Sequence, residues 1–291
     1  LIQGKEVLVM KKYWTLLVPA VLLLGWAAEH SSAAGAKAIH LGVCDWTIEK
    51  SGDPSALETA GKWGLEGVQV SLTVKDGALA LLQPALQQTY KAEVRRTGVA
   101  IASFCLGDLN GVPLKSDPRA AAWLEQSLAI CRAMDVHIVL VPFFGKGELR
   151  NDAAGVESVV QILKRLAPKA EKAGVVLALE SYLSAEDDLK ITSRVGSPAV
   201  AVYYDVANSQ QAGYDIFKEI RTLGARIAQF HAKDLKGLYG KGSIDFPAVR
   251  KAMDDIGYSG WFVFEGTETP LGLEKSIRAD VEYLRTLFPL K

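Results

Sequence analysis

Four apolar runs in the second half of the chain each end in a side chain that can bind a cation or move a proton. LALES carries Glu180, VYYDVAN carries Asp205, IAQFHAKD carries His231 and WFVFEG carries Glu265. Three carboxylates and one imidazole make an anionic, mostly oxygen-donor set. Such a set suits Mn2+ or Mg2+ and tolerates Co2+, Zn2+ or Fe2+. Taken singly, a glutamate after an apolar run is a solvated strand end, and a lone histidine is a packed core residue. Taken together, they hold the same place on successive runs, and three unpaired carboxylates buried at one point are costly without a cation. Asn208 stands three residues after Asp205, where its amide is expected to hydrogen-bond a substrate oxygen, and Lys233 stands two after His231, within reach of the same cavity. There Lys233 stabilises a developing oxyanion, unless it pairs at the surface with Asp234.

The elements that position these groups follow from hydrophobic pattern. Eight β-rich runs begin at residues 38, 66, 99, 137, 175, 200, 226 and 261. They are near-continuously apolar rather than alternating, as strands covered on both faces must be. Amphipathic stretches separate them. SDPRAAAWLEQSLAICRAM offers Asp117 as a cap with Pro118 next, the expected start of a helix, and GVESVVQILKRLAPKAEKAGV stops at Gly174. The segments DFPAVRKAMDDIGYSG and LEKSIRADVEYLRTLF supply the last two helices. Eight strands alternating with helices over ~250 residues predict an α/β fold, a single (β/α)8 TIM barrel over residues 37–291. The alternative, a doubly wound open sheet, usually carries a glycine-rich phosphate loop after its first strand, and none follows Cys44. In a barrel, the carboxyl ends of all strands open onto one mouth, which gathers the four candidate ligands. Asp45 and Trp46 follow the first run there and are expected to contact substrate. Phe104 and Phe143, near the ends of the third and fourth runs, are read first as core and second as an apolar wall of the mouth.

Composition narrows the partners. Of 291 residues, 33 are Lys or Arg and 33 are Asp or Glu, a balance that offers no electrostatic footprint for nucleic acid or an anionic membrane. A polyanionic partner is therefore not expected. Cys44, Cys105 and Cys131 are too few for a disulfide framework and read as small buried side chains. Residues 1–36 read as upstream residues plus a signal peptide. Met10 starts a stretch with Lys11 and Lys12, an apolar run and a small-residue close, with cleavage expected after Ala34 or Ala36. The run from Tyr13 to Ala28 contains Pro19 and is short for a span of ~20 residues, so no stable membrane span is expected after cleavage. The barrel is therefore predicted to be exported, periplasmic or extracellular.

From Ile39 to Leu287 the sequence resembles the xylose-isomerase-like TIM barrels, the sugar phosphate isomerase/epimerase family. The resemblance rests on LALES, VYYDVAN, FHAKD and the tail GKGSIDFPAVRKAMDDIGYSGWFVFEG. It implies that Glu180, Asp205, His231 and Glu265 hold a divalent metal, and that Glu180 and Glu265 form an acid/base pair on opposite faces of the substrate. A metal chelating a carbonyl and the neighbouring hydroxyl then stabilises the enediolate left when a proton is removed between them. Glu186 matches a substrate-contacting glutamate of the ketose epimerases, though its place among AEDD equally suits a helix amino terminus.

The chain departs from some members. Endonuclease IV needs more histidines than His30, His40, His137 and His231, and Asn208 replaces one of them. Ketose epimerases place an arginine where this chain has Gly237, and GLYGKG offers a phosphate only Lys241 and backbone amides. The implied function is a metal-dependent sugar isomerase or epimerase. A lyase or hydratase eliminating from a keto-sugar such as a 3-keto-glycoside, and a non-catalytic sugar-binding barrel, remain as alternatives.

Overall fold

The structure, a computed structural model, describes residues 1, 39–266 and 268–290. The expected leader lies outside the described residues. Eight parallel strands close into a barrel in the order β1, β10, β9, β8, β7, β6, β5, β2. They are β1 (Ile39–Cys44), β2 (Gly67–Ser71), β5 (Ala100–Cys105), β6 (Ile138–Pro142), β7 (Val176–Glu180), β8 (Val200–Asp205), β9 (Ile227–Lys233) and β10 (Gly260–Gly266). Each falls on one of the eight apolar runs. A small antiparallel hairpin, β3 (Val74–Lys75) with β4 (Ala78–Leu79), is an addition that the sequence pattern did not predict. Its two-residue strands are too short to show a period.

The helices are α1 (Ala56–Lys62), α2 (Pro84–Thr97), α3 (Pro118–Met134), α4 (Ala153–Ala173), α5 (Ala185–Val195), α6 (Val206–Gln211), α7 (Ile216–Leu223), α8 (Phe246–Asp255) and α9 (Leu273–Leu287). Their ends follow local chemistry. The Asp117 carboxylate accepts from the Arg119 N–H with Pro118 at the first helical position, and α4 ends at Gly174, in a left-handed conformation with φ of 67°.

Alternation along each strand sorts side chains into two cores. One set packs under the helices, including Leu177 and Leu179 of β7, Tyr204 of β8, Phe230 of β9 and Phe262 and Phe264 of β10. The other set points into the barrel, where Cys105, Leu140, Ala178 and Tyr203 form one apolar layer and Cys44, Ala102 and Val263 another. The inward positions continue towards the mouth as Glu180, Asp205, His231 and Glu265. On β9 the inward series Gln229, His231, Lys233 climbs from the lumen to the mouth, since residues two apart share a face.

Candidate active site

The structure brings the four candidate ligands together: one donor atom from each of Glu180, Asp205, His231 and Glu265 lies within 4.8 Å of the others. Asp205 and His231 are register partners on adjacent strands. His231 is fully buried, and its Nδ1 is 3.2 Å from Glu180 Oε1, 3.8 Å from Asp205 Oδ2 and 3.9 Å from Glu265 Oε2. Asp205 divides its two oxygens. Oδ1 caps α6 by accepting the N–H groups of Ala207 and Asn208, each at 2.8 Å, while buried Oδ2 accepts no hydrogen bond among the described residues. A carboxylate oxygen stranded in this way beside an imidazole nitrogen and two further carboxylates is the donor set a hard divalent ion requires. The residues therefore fit a metal.

Two neighbours complete the cluster. Lys233 Nζ hydrogen-bonds to Glu265 Oε2, donates to Asn208 Oδ1 at 3.2 Å and lies 3.4 Å from Asp205 Oδ2. Asn208 in turn donates to Glu180 Oε1 at 3.2 Å, so it bridges the lysine and the first glutamate. The alternative reading of Lys233, a surface pair with Asp234, does not hold. Asp234 is fully buried and accepts from the backbone N–H groups of Lys236 and Ile244, at 3.0 and 2.9 Å, folding the loop after β9. That contact explains one glycine of the GKGSIDF motif, because a Cβ on Gly242 would overlap the Asp234 carboxylate.

The carboxylates differ in how readily they ionise. Burial pushes Asp205 up to about 7 and holds Glu180 above the usual carboxylate range against the pull of His231. Burial also raises Glu265, but His231 and the contacting Lys233 outweigh it and bring that carboxyl down to about 2. On the cations burial acts the other way and loses: Asp205 and Glu265 hold Lys233 above its ordinary value, and Glu180 and Glu265 do the same for His231. The cluster thus holds one glutamate that ionises readily and one that retains a proton more readily.

A cavity of about 350 Å³ opens onto the cluster, and both Glu180 and Glu265 line it. Trp46, Leu72, Leu140, Pro142 and Phe144 give it an apolar wall, and Ser71, Thr73, Asp108 and Asn110 a polar one. Trp46 is where the sequence placed it, its ring meeting His231 edge-on at 6.3 Å.

Other expectations are corrected. Asp45 is fully buried, not a substrate contact: it accepts from Ser71 N–H, Ser71 Oγ and Gly52 N–H at 2.6–2.8 Å, stapling β1 to β2. Glu186 sits exposed in the first turn of α5 and is absent from the cavity lining, which leaves it the helix amino-terminal role. Phe104 and Phe143 are buried in the core, as first read, and the neighbouring Phe144 lines the cavity.

The sequence reading missed a polar layer beneath the cluster. His231 Nε2 is 2.8 Å from Gln69 Oε1, and Gln69 Nε2 donates to Ser103 Oγ at 2.8 Å. Gln229 Nε2 donates to Ser103 Oγ and Tyr203 Oη, both at 3.0 Å. The available signal was a glutamine in the middle of each of two apolar strands, GVQVS and IAQFHAK.

Comparison with known proteins agrees with this architecture. The 2-epi-5-epi-valiolone 7-phosphate 2-epimerase of an Actinoplanes species is 26% identical over 198 residues, 67% of this chain and 72% of that protein. Among solved structures, D-psicose 3-epimerase from Clostridium cellulolyticum, with D-tagatose, matches with a TM-score of 0.73 at 18% identity, covering 87% of this chain and all of that one. The 3-keto-D-glucoside 4-epimerase of E. coli matches with a TM-score of 0.72 at 17% identity, over 85% and 99% of the two chains. At such identities the structures support the fold, and the relatives named are sugar epimerases. The model of the xylose isomerase-like TIM barrel family matches residues 57–287, and the chain belongs to that family.

Proposed function

We propose that this protein is a divalent-metal-dependent sugar epimerase or isomerase that abstracts a proton from the carbon beside a carbonyl. The observation that carries the reading is that Glu180 and Glu265, on strands separated by β8 and β9, both line one cavity and flank Asp205 and His231. The relatives' names favour epimerisation over elimination.

Glu180, Asp205, His231 and Glu265 would hold the metal, which supplies Lewis-acid polarisation of the substrate carbonyl when bound. Glu265, kept ionised by His231 and Lys233, takes the proton from carbon. The C–H electron pair moves into the adjacent carbonyl, and the Lys233 ammonium is placed to offset the negative charge that develops on oxygen. Glu180, which burial makes the better proton holder, returns a proton to carbon from the opposite face and inverts the centre. The cavity then lets both glutamates exchange protons with solvent, and the reverse reaction uses them in exchanged roles. Trp46 and Phe144 furnish apolar faces for a sugar ring, and Ser71, Thr73 and Asn110 furnish hydroxyl partners.

An uncharged sugar is the better substrate, since the cavity lining carries Asp108, Glu180 and Glu265 and, among the described residues, no lysine or arginine. We further place the barrel domain at residues 37–291 behind a cleaved leader, which makes the enzyme an exported one; amino-terminal sequencing of the mature protein checks this. Activity is tested by incubating the Mn2+-loaded protein with ketoses and 3-keto-glycosides and resolving the products by chromatography and mass spectrometry. An epimer or isomer of unchanged mass is expected. Release of an alcohol would assign elimination instead, and binding without turnover would leave a sugar-binding barrel.

A further inference from the structure

One wall of the cavity is built by a single 3-10 turn, Gly107–Asn110, that follows β5. In the closed barrel β5 stands four strands from β9 in either direction, so the turn rises on the side of the mouth opposite His231. Leu109 is fully buried and anchors the turn in the core, while Asp108 and Asn110, to either side of it, both line the cavity. Each spends one oxygen on a neighbouring loop. Asp108 Oδ2 accepts the Val74 N–H at 3.2 Å, and Asn110 Oδ1 accepts the Phe144 N–H at 3.2 Å. A backbone N–H only donates, so it settles which end of the Asn110 amide faces it. The groups left over differ in kind. Asp108 keeps Oδ1, an acceptor, and Asn110 keeps its NH2, a donor, and neither has a hydrogen-bond partner among the described residues.

A sugar hydroxyl both donates and accepts, so two neighbouring hydroxyls satisfy an acceptor and a donor at once. We propose that Asp108 and Asn110 form an acceptor–donor pair that binds adjacent hydroxyls at the end of the substrate remote from its carbonyl. The inference rests on the reading of Glu180 and Glu265 as the proton carriers, which fixes where the carbonyl end lies. With the reacting carbons held there, the far end of the molecule meets the turn after β5, across the mouth. The pair therefore selects a polyhydroxylated sugar with a free diol at that end. A phosphate ester in the same place would bring its charge against the Asp108 carboxylate. Asn110 also places the aromatic wall, because it holds the Phe144 backbone. Removing its side chain would disturb both roles. Asp108→Asn and Asn110→Asp instead keep an oxygen for the neighbouring N–H and change only the group left to the cavity.

The test measures binding and turnover separately on the full chain loaded with Mn2+. Calorimetry gives Kd, and product analysis gives kcat and KM, for D-fructose, D-psicose, D-tagatose and methyl 3-keto-glucoside. Each single swap leaves two like groups facing the diol and is expected to weaken binding of the preferred sugar about tenfold. The loss should fall on KM with kcat little changed, since the contact is made equally in ground state and transition state. The double swap, Asp108→Asn with Asn110→Asp, again offers one donor and one acceptor, and hydroxyls can turn to meet them, so it should recover part of the affinity. Unchanged binding in both single swaps overturns the proposal, as does a double swap as weak as the two losses multiplied. If one single swap does not fold, the other and the double swap decide. Turnover that both swaps leave untouched removes the pair while the epimerase reading stands. Binding without turnover that the swaps weaken keeps the pair while the epimerase reading fails. Neither binding nor turnover with any of the four sugars overturns both.

Discussion

Two groups of carboxylates are buried in this barrel in opposite surroundings. At the mouth, Glu180, Asp205 and Glu265 share space with His231 and Lys233. Between α5 and α7, Asp188 and Glu219 are 6% and 9% exposed and form no ion pair with a cation among the described residues. Asp188 takes a hydrogen bond from Ser181 Oγ and Glu219 one from the Ala185 N–H, while Glu219 Oε2 has no hydrogen-bond partner among the described residues. Burial raises the proton affinity of both members of this second pair, and nothing reverses it. The carboxyls at the mouth are buried too, yet Glu265 falls to about 2 where Asp205 rises to about 7, because His231 and the directly contacting Lys233 favour the ionised form of Glu265. Burial alone gives a carboxyl that keeps its proton. A cation placed beside one carboxyl among several separates their roles into base and acid.

The comparison breaks most visibly in activity. Glu180→Gln and Glu265→Gln keep size and hydrogen bonding but remove the proton carrier, so each is expected to lower turnover by ~10²- to 10⁴-fold. Circular dichroism should show an unchanged fold, and turnover within tenfold of wild type in either variant would remove that glutamate from the mechanism. The same replacement of Glu219, in the second group, should leave turnover unchanged.

Removing the cation should make the mouth resemble the second group. Lys233→Met strands Glu265 and Asp205 without their ammonium, and breaking a buried pair in this way costs about 3–5 kcal/mol. Urea denaturation of metal-free protein measures the loss. Mn2+ should return part of it, because a divalent ion restores positive charge at the same point. A loss that Mn2+ does not diminish would place the contribution of Lys233 outside the cluster.

The second group gives a smaller effect with a defined sign. Asp188 in the folded chain holds its proton above the ordinary carboxylate range. The folded state therefore binds more protons than the unfolded state in that window. Its contribution to stability is fully present below the ordinary range and is lost as pH rises through the raised value. Asp188→Asn cannot ionise, so it should raise stability by about 1 kcal/mol at pH 8 and change little at pH 4. Thermal melts at the two pH values check this, and a larger gain at pH 4 would reverse the assignment.

Much of this was legible in the sequence, for a geometric reason. In parallel strands covered on both faces, a charged side chain at the carboxyl end stands out against an apolar run, and all such ends converge. Glu180, Asp205, His231 and Glu265 were found that way, as were the eight barrel strands. Asp45 shows the limit of the rule. It too follows a strand, but Ser71 and the Gly52 amide consume its oxygens, and those partners are 26 and 7 residues away in the chain. Phe143 and Phe144 show another limit: a one-residue change of face decides which of two like residues meets the cavity. Gln69 and Gln229 escaped notice because a polar residue inside an apolar run signals burial with a partner, and the partner is visible only once the barrel closes.

The most direct measurement is Mn2+ bound per chain, by equilibrium dialysis and elemental analysis, in wild type and in Asp205→Asn. Asparagine can keep the Oδ1 cap on Ala207 and Asn208 while replacing Oδ2, which faces Lys233 and His231 without a hydrogen bond among the described residues, with an amide nitrogen, so the change tests the donor set without removing the helix cap. One ion per chain in wild type, lost or strongly weakened in the variant, is the predicted result. Equal occupancy in both proteins, or none in wild type, would contradict a metal centre built from Glu180, Asp205, His231 and Glu265.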